Sequence, residues 1–137
     1  MAMWQQKIET MPREELEKLQ SERLCWQVNR MYERVELFRK RMDELGLKPS
    51  DIHGIEDLHK LPFLTKDDLR DAYPYGLLAK PLEDCVRIHS TSGTTGRRVV
   101  AFYTQNDIDL WEDCCARAIV ATGGSKKDVC QVAYGYG

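Results

Sequence analysis

The fold is decided by the stretch Cys85-Val-Arg-Ile-His-Ser-Thr-Ser-Gly-Thr-Thr-Gly-Arg-Arg-Val-Val-Ala-Phe-Tyr103. Its first five residues alternate in the manner of a strand, and its last five, from Val99, are mostly β-branched or aromatic. Both patterns favour extended structure. Between them lies the loop Ser90–Arg98, seven residues of Ser, Thr and Gly followed by two arginines. The order predicts two antiparallel strands joined by this loop.

Downstream of this hairpin, the sequence predicts a helix and a third strand. Thr104 is a suitable N-cap, and Gly123-Gly124 provides an end. A third strand is expected over Asp128-Val-Cys-Gln-Val-Ala-Tyr134. A strand–helix–strand order with a right-handed crossover indicates the α/β class. The helix residues expected to face inward are Ile108, Trp111, Cys115, Ala116, Ala118 and Ile119.

Upstream of the hairpin, an apolar stripe predicts either one long helix or two shorter ones. Pro12 and the carboxylates after it favour a helix start, and Gly46 ends the pattern. The stripe could bind a coiled-coil partner or cover the core of its own domain, and we favour the second interpretation. Its residues recur at steps of mostly three and four: Leu16, Leu19, Leu24, Val28, Met31, Tyr32, Val35, Phe38, Met42 and Leu45.

Residues 47–81 are interrupted by prolines and glycines, which predicts turns and short helices. The clearest of these helices begins at Thr65, with Asp67 and Asp68 in its first turn. We therefore expect two parts: a helical N-terminal region over 1–81 and an α/β unit over 82–137.

Composition narrows the function classes. The 137 residues contain 20 Lys+Arg and 22 Asp+Glu, a net charge of −2, which argues against nucleic-acid binding. A hydrophobic content of 42% is typical of a folded chain. There is no apolar run long enough for a membrane span or a signal peptide, so a cytoplasmic location is expected.

The five cysteines are odd in number and lack a CxxC pair, so reduced and mostly buried thiols are expected. We interpret Cys114 and Cys115 as packing residues. No metal site is expected, because the histidines at 53, 59 and 89 are far apart and none is paired with Cys at ligand spacing.

The loop Ser90–Arg98 has the composition of a phosphate cradle. Gly93 and Gly96 let backbone N–H groups converge, the hydroxyls are donors, and Arg97 and Arg98 add positive charge. The alternative is a flexible hairpin loop, which the spacing alone leaves open. The loop lacks the Gly-Lys-Ser/Thr ending of a Walker loop and the dinucleotide-binding fingerprint.

Ser90-Thr-Ser-Gly-Thr-Thr-Gly-Arg-Arg98 resembles the phosphate-binding signature of the acyl-adenylate-forming enzymes. Two further segments narrow the resemblance to the N-terminal part of the phenylacetate–CoA ligase group: Leu61-Pro-Phe-Leu-Thr-Lys-Asp-Asp-Leu-Arg-Asp-Ala-Tyr-Pro-Tyr-Gly-Leu77 and Ala133-Tyr-Gly-Tyr-Gly137. The resemblance covers most of the chain. The α/β unit would then be the start of an AMP-binding domain.

The resemblance implies a two-step reaction. A carboxylate attacks the α-phosphorus of ATP to give an acyl-adenylate and pyrophosphate, and coenzyme A then displaces AMP. ATP, Mg²⁺ and coenzyme A would be required. The residues that match the family's ATP phosphate-binding positions are Ser90, Thr91, Ser92, Gly93, Thr94, Thr95 and Gly96. Arg97 and Arg98 stand where the family has Lys-Pro, and Arg97 would supply the lysine's charge.

The resemblance also implies an apolar pocket for an aromatic acid such as phenylacetate, lined by Gly135, Tyr136 and Gly137, with a core tyrosine as the alternative. His89 could orient a loop carbonyl, although a strand histidine is the simpler interpretation. Catalytic residues and the remaining nucleotide contacts are expected beyond Gly137, so the chain would be an N-terminal fragment that is inactive alone. A homo-oligomer, in particular a dimer, is expected.

Two alternatives remain open. The chain could belong to another adenylating relative, such as the coenzyme F390 synthetases or polysaccharide-biosynthesis enzymes, because acceptor specificity resides mostly in later segments. It could instead be a natural truncated protein that acts as a helical interaction module.

Overall fold

The computed structural model describes residues 2–93, 96 and 98–133. Its regular elements follow in chain order: α1 (Gln6–Glu9), α2 (Arg13–Arg34), α3 (Glu36–Glu44), α4 (Lys66–Asp71), β1 (Cys85–Ser90), β2 (Val100–Thr104) and α5 (Gln105–Ala121). Short 3₁₀ helices cover Pro49–Asp51, Ile55–Lys60 and Leu82–Asp84. Helices α1 to α4 thus precede the two strands in the chain.

The long apolar stripe forms two helices, because the chain is extended at Val35. This residue has φ −117° and ψ 104°, and its side chain is buried between α2 and α3. The guanidinium of Arg39 donates to the carbonyls of Tyr32 and Glu33, both at 3.3 Å, which pairs groups that the end of α2 leaves free. The break turns α3 back against α2.

The core lies between α2, α3 and the segment that follows them. Its buried members are Val28, Val35, Phe38, Met42 and Ile52, with half-buried Leu24, Met31 and Tyr32 packed against them. The stripe therefore covers the core of its own region. This agrees with the interpretation that we favoured over a coiled-coil surface. Leu45 is 57% exposed and does not contribute to this core.

Glycine and threonine fix the predicted helix ends. Gly46 has φ +68°, and the N–H groups of Gly46 and Leu47 reach back to the carbonyls of Asp43 and Met42 at 3.0 and 2.9 Å. Thr65 forms a capping box with Asp68 at the start of α4. The predictions for these two ends are confirmed.

The predicted antiparallel hairpin is confirmed. Ile88 pairs with Phe102, His89 with Ala101 and Ser90 with Val100, and the register shifts between Cys85 and Arg87. One face of the hairpin packs on α5. On the other face, the ring of Phe102 lies 5.5 Å from that of Tyr75.

Helix α5 is capped as predicted and also holds the N-terminus. Thr104 caps its start, and Gly123 at φ +95° follows its end. The indole of Trp4 donates to Asp113 at 2.9 Å, as does the side-chain amide of Gln5 at 3.0 Å. Arg117 donates to the amide oxygen of Gln5 at 2.7 Å. These bonds join the N-terminal segment to α5.

The prediction that α5 buries a broad apolar face is wrong. Ile108 is its buried residue, whereas Trp111 and Ile119 are 42% and 54% exposed, and Cys115 and Ala118 are also exposed. The 3.6-residue period shows which side of a helix is apolar, but burial also requires a second element on that side.

The predictions of a third strand and of mostly buried thiols are also wrong. Residues 128–133 form no strand, and Val129 is fully exposed, because no neighbouring strand offers hydrogen bonds to this segment in the described part of the chain. All five cysteines are free, as expected, but Cys114, Cys115 and Cys130 are exposed, and Cys25 and Cys85 are half-buried. The prediction that Cys114 and Cys115 are packing residues is therefore wrong.

Candidate phosphate-binding loop

The candidate loop begins where the hairpin ladder ends. Ser90 is the last residue of β1. One step further, the N–H of Thr91 donates to the carbonyl of Val99 at 3.0 Å, and the Thr91 hydroxyl accepts from the N–H of Val99 at 3.1 Å. These bonds close the base of the loop, so Ser92 and Gly93 follow directly from a fixed hairpin end.

Two glycines make the turn. Gly93 has φ +72° and Gly96 has φ +126°, values that favour glycine over residues with a Cβ. The N–H of Gly96 donates to the carbonyl of Gly93 at 3.1 Å. The glycine positions singled out in the sequence are therefore the positions where the backbone requires them.

Arg98 crosses close to Gly93. A Cβ built on Gly93 would lie 2.7 Å from Cγ of Arg98 and 3.3 Å from the carbonyl oxygen of Gly96. Gly93 thus has a second requirement besides its φ, namely room for the stem of Arg98. At Gly96, by contrast, a Cβ would meet nothing within 4 Å.

The described part of the loop has the donors that an anion needs. Ser90, Thr91 and Ser92 are exposed, so their hydroxyls are available to a ligand, and the glycine turn lies beside them. This set fits phosphate oxygens. Among residues 2–93, 96 and 98–133, no three His, Cys, Asp or Glu side chains are grouped to hold a metal ion, so no Mg²⁺ ligand is assigned.

Six of the predicted site residues lie outside the described residues. Three belong to the loop, namely Thr94, Thr95 and Arg97, and three to the expected acid pocket, namely Gly135, Tyr136 and Gly137. Their assignments remain predictions.

An aromatic cluster that the sequence analysis missed supports the strand before the loop. The ring of His89 lies 5.1 Å from that of Tyr103 and 5.6 Å from that of Trp111, and the last two are 5.6 Å apart. His89 and Tyr103 are diagonal neighbours across the strands. The register of the hairpin could have predicted the contact between His89 and Tyr103. The contact with Trp111 could not be predicted from the sequence, because Trp111 lies on α5.

A cleft of about 320 Å³ lies behind the hairpin, between β2, α2 and residues 74–80. It is lined by Met31, Leu77 and Phe102 on its apolar side, and by Arg30 and Asp107 on its polar side. The N–H and hydroxyl of Thr104, followed by the charge of Arg30, lower the pKa of Asp107. Asp107 is thus occupied by the helix cap rather than free for chemistry.

Comparison with solved structures places the fold among acyl-CoA ligases. The chain superposes on a 2-hydroxyisobutyryl-CoA ligase in complex with 2-HIB-AMP and CoA, with a TM-score of 0.75 and 30% identity, covering 84% of this chain and 25% of that one. A second structure of the same enzyme, in its postadenylation state with 2-HIB-AMP, gives a TM-score of 0.73 and 26% identity over 83% of this chain. The α/β class is confirmed, as part of an adenylate-forming domain.

Sequence comparison identifies curated relatives. The chain is 50% identical over 130 residues to the phenylacetate-coenzyme A ligase of Escherichia coli K12, and 49% identical over 130 residues to that of Pseudomonas putida. It is 46% identical over 135 residues to that of Thermus thermophilus. These matches cover 95–98% of this chain. No family model matches the chain.

In each of these relatives, the match covers 30% of the relative's own length. The resemblance seen in the loop and in its two companion segments is therefore confirmed. Nearly the whole chain is related to the phenylacetate–CoA ligases, and it matches about 30% of the length of those enzymes.

Proposed function

We propose that this chain supplies the ATP phosphate-binding segment of a ligase that activates an aromatic carboxylic acid such as phenylacetate. The observation that carries the proposal is the glycine turn at Gly93 and Gly96, framed by an antiparallel hairpin, in a chain 46–50% identical to phenylacetate-coenzyme A ligases. In such a ligase the acid is first adenylated by ATP, and coenzyme A then displaces AMP to form the thioester.

The loop's task in this reaction is to stabilise the leaving pyrophosphate. Negative charge grows on its oxygens as the carboxylate attacks the α-phosphorus, and pre-placed donors act most strongly where charge develops. The hydroxyls of Ser90, Thr91 and Ser92 are suitable donors, whereas the N–H of Gly96 is already used within the turn. Arg97 adds the positive charge that lysine supplies in the family. The side-chain stem of Arg98 lies close to Gly93 in the turn.

Other parts of the assignment extend the same proposal. ATP and coenzyme A are co-substrates, Mg²⁺ neutralises phosphate charge when bound, and residues 135–137 line the acid pocket. Residues 1–81 form a helical region and residues 82–137 begin the AMP-binding domain. Catalytic residues belong to the part of the ligase that this chain does not match. The enzyme works in the cytoplasm as a homodimer.

A chimera tests the proposal. Residues 1–137 would replace the matching segment of the Escherichia coli phenylacetate-coenzyme A ligase, and the readout would be phenylacetate-dependent ATP–pyrophosphate exchange. We expect the chimera to be active. In it, Gly93→Val should reduce exchange by roughly 100-fold, the usual order for losing oxyanion-type donors, because Val cannot adopt the turn and would displace Arg98.

Gly46→Val is the matched control. Gly46 has φ +68°, close to the +72° of Gly93, but it ends α3 in the helical region. Both variants should therefore lose thermal stability through backbone strain, whereas only Gly93→Val should lose exchange. Equal exchange by the two folded variants would contradict the phosphate-binding assignment.

A further inference from the structure

The aromatic cluster of His89, Tyr103 and Trp111 lies directly before the candidate loop. His89 is followed by Ser90, where β1 ends, and the base of the loop closes one residue later at Thr91. Each of the three rings contacts the other two, with centroids 5.1 to 5.6 Å apart. Two of the rings come from the hairpin and the third comes from α5. The cluster therefore joins the end of β1 to a separate helix.

Burial does not account for this cluster. His89 and Trp111 are exposed, Trp111 by 42%, and Tyr103 is half-buried. Rings that remain in contact with water gain little from the hydrophobic effect. The planes of the imidazole and the indole cross at 71°, and an edge-on contact of this kind favours one relative orientation of two rings. The cluster thus sets a direction more than it adds to the core.

Helix α5 is a fixed support for the cluster, because other residues hold it from its opposite side. Asp113 accepts from Trp4 and Gln5 at 2.9 and 3.0 Å, and Arg117 donates to Gln5 at 2.7 Å. A helix turns by about 100° per residue, so Asp113 lies about 200° around α5 from Trp111. The N-terminal segment and the hairpin therefore hold α5 between them.

The candidate loop needs such a support because glycine gives its turn conformational freedom. Gly93 and Gly96 both have positive φ, a region that glycine enters at no steric cost and also leaves easily. A phosphate binds only those loop conformers in which the donors converge. The affinity for phosphate is therefore reduced by the fraction of conformers that are competent to bind. A contact that fixes the strand before the loop raises this fraction.

We propose that Trp111 is a positioning residue for the binding of ATP phosphates. Through its ring contact with His89, it holds the end of β1, and with it the donors of the loop, in the orientation that the phosphates require. The inference rests on the proposed function and adds to it a residue of α5, outside the loop. Trp111 acts on the nucleotide through His89 and is assigned no contact with ATP.

Kinetics of the chimera described above test the proposal. In phenylacetate-dependent ATP–pyrophosphate exchange, the KM for ATP and the KM for phenylacetate are measured separately. Trp111→Ala should raise the KM for ATP about 3- to 10-fold, the factor that corresponds to the loss of an aromatic contact. The KM for phenylacetate and the rate at saturating ATP should change less than about twofold, because saturating ATP selects the competent loop conformers.

A conservative variant and a matched control accompany this measurement. Trp111→Phe keeps a ring on α5 and should retain most of the affinity for ATP. Trp26→Ala is the control, because Trp26 is also an exposed helical tryptophan, at 61%, but its ring contacts Arg30 within α2. It should leave both KM values unchanged. An equal rise of both KM values in Trp111→Ala, or the same rise for ATP in Trp26→Ala, would overturn the proposal.

A double-mutant cycle tests the path through His89. His89→Ala alone should raise the KM for ATP by a factor similar to that of Trp111→Ala. The double variant should show little further rise, because either substitution already removes the contact between the two rings. If the two factors multiply in the double variant, the residues act independently and the proposed path is rejected.

Hydrogen exchange in the 137-residue chain gives a second readout that needs no nucleotide. The N–H groups of Thr91 and Val99 close the base of the loop, whereas those of Gly46 and Leu47 close the end of α3. Trp111→Ala should speed exchange at least about threefold at the loop base and leave the α3 end unchanged. Equal acceleration at both places would make Trp111 a general structural residue, and no acceleration at the loop base would also contradict the proposal.

The Gly93→Val chimera separates this inference from the proposed function. If Gly93→Val and its control Gly46→Val exchange equally, the phosphate-binding assignment fails, and the positioning role fails with it. If Gly93→Val loses exchange while Trp111→Ala keeps the KM for ATP of the unsubstituted chimera, the proposed function stands and only the positioning role of Trp111 is rejected.

Discussion

Asp68 is a charged residue on which several contacts of α4 depend. Its carboxylate accepts from the Thr65 hydroxyl, the Thr65 N–H and Arg41, and these donors, in that order, lower its pKa from 3.8 to about 2. A pKa lower in the folded than in the unfolded state stabilises the fold above the unfolded value. That stabilisation is lost as the pH falls through the folded value.

Replacement of this carboxylate should change both stability and its pH dependence. We expect Asp68→Asn to lower the melting temperature at pH 7 by several degrees, because the amide accepts from Arg41 without the charge. Part of the stability that the parent chain loses between about pH 4 and pH 2 should already be absent in the variant. Calorimetry or circular dichroism melts over this range provide the measurement.

Asp67→Asn is the control for this prediction. Asp67 also lies in the first turn of α4, where it pairs with Arg70 at 2.9 Å, but its side chain is 81% exposed. It should keep the pH dependence of the parent chain. The explanation fails if both variants lose the same share of that dependence.

At the scale of elements, α5 depends on its cap more than its length suggests. It buries Ile108 but leaves Trp111 and Ile119 largely exposed, so apolar burial against other elements contributes little to its stability. Its first turn is fixed by Thr104, whose hydroxyl accepts from Asp107 N–H and donates to the Asp107 carboxylate. We expect Thr104→Ala to cost about 1 kcal/mol of unfolding free energy.

Urea unfolding would measure this cost, and hydrogen exchange would place it in the first turn of α5. Thr104→Ser keeps the hydroxyl and should retain most of the stability. Thr122→Ala removes a hydroxyl that donates to the Ile119 carbonyl at 2.8 Å at the other end, where the glycines that follow already close the helix. It should cost less than Thr104→Ala. Equal losses in the Ser and Ala variants would exclude the cap as the cause.

At the scale of the whole molecule, the exposure of the candidate loop limits what the separate chain can do. The donors at Ser90, Thr91 and Ser92 all face solvent, so water competes for each hydrogen bond to phosphate. Adenylation also requires acid and α-phosphate to be held in attack geometry, an advantage that is lost when the other walls of a site are absent.

The separate 137-residue chain is therefore expected to bind ATP weakly and to give no phenylacetate-dependent ATP–pyrophosphate exchange. The active chimera proposed above is the positive control under the same assay conditions. Exchange by the separate chain at a rate near that of the chimera would show that these residues hold a complete catalytic apparatus.

No helix in the described ranges has the length and apolarity of a membrane span. The N-terminal segment and α5 are joined by hydrogen bonds over a long distance in sequence. The segment around Trp4 and Gln5 hydrogen-bonds to Asp113 and Arg117 on α5, more than 100 residues away. Together with the ring contact of Tyr75 and Phe102, these bonds link the helices of the N-terminal part to the hairpin and α5.

Local sequence was sufficient wherever the cause of a structure was local. Thr65, Thr104, Gly46 and Gly123 fix helix ends through backbone bonds within a few residues of themselves. The hairpin follows from alternation on both sides of a Ser/Thr/Gly loop. The loop's composition and its companion segments also identified the relatives, which the comparisons confirm.

Sequence alone failed where the outcome depends on a distant partner. A β-branched segment over 128–133 becomes a strand only beside another strand, and an apolar stripe on α5 is buried only beneath another element. Contacts between separate segments could not be read from the sequence either. Trp111 contacts His89, and Arg98 lies close to Gly93. Arg41 donates to the carbonyl of Phe63. Sequence thus determined the helix ends, the hairpin and the family resemblance, because each depends on neighbours along the chain. Tertiary structure decided which apolar faces are covered and which are presented, because burial is a property of pairs of elements.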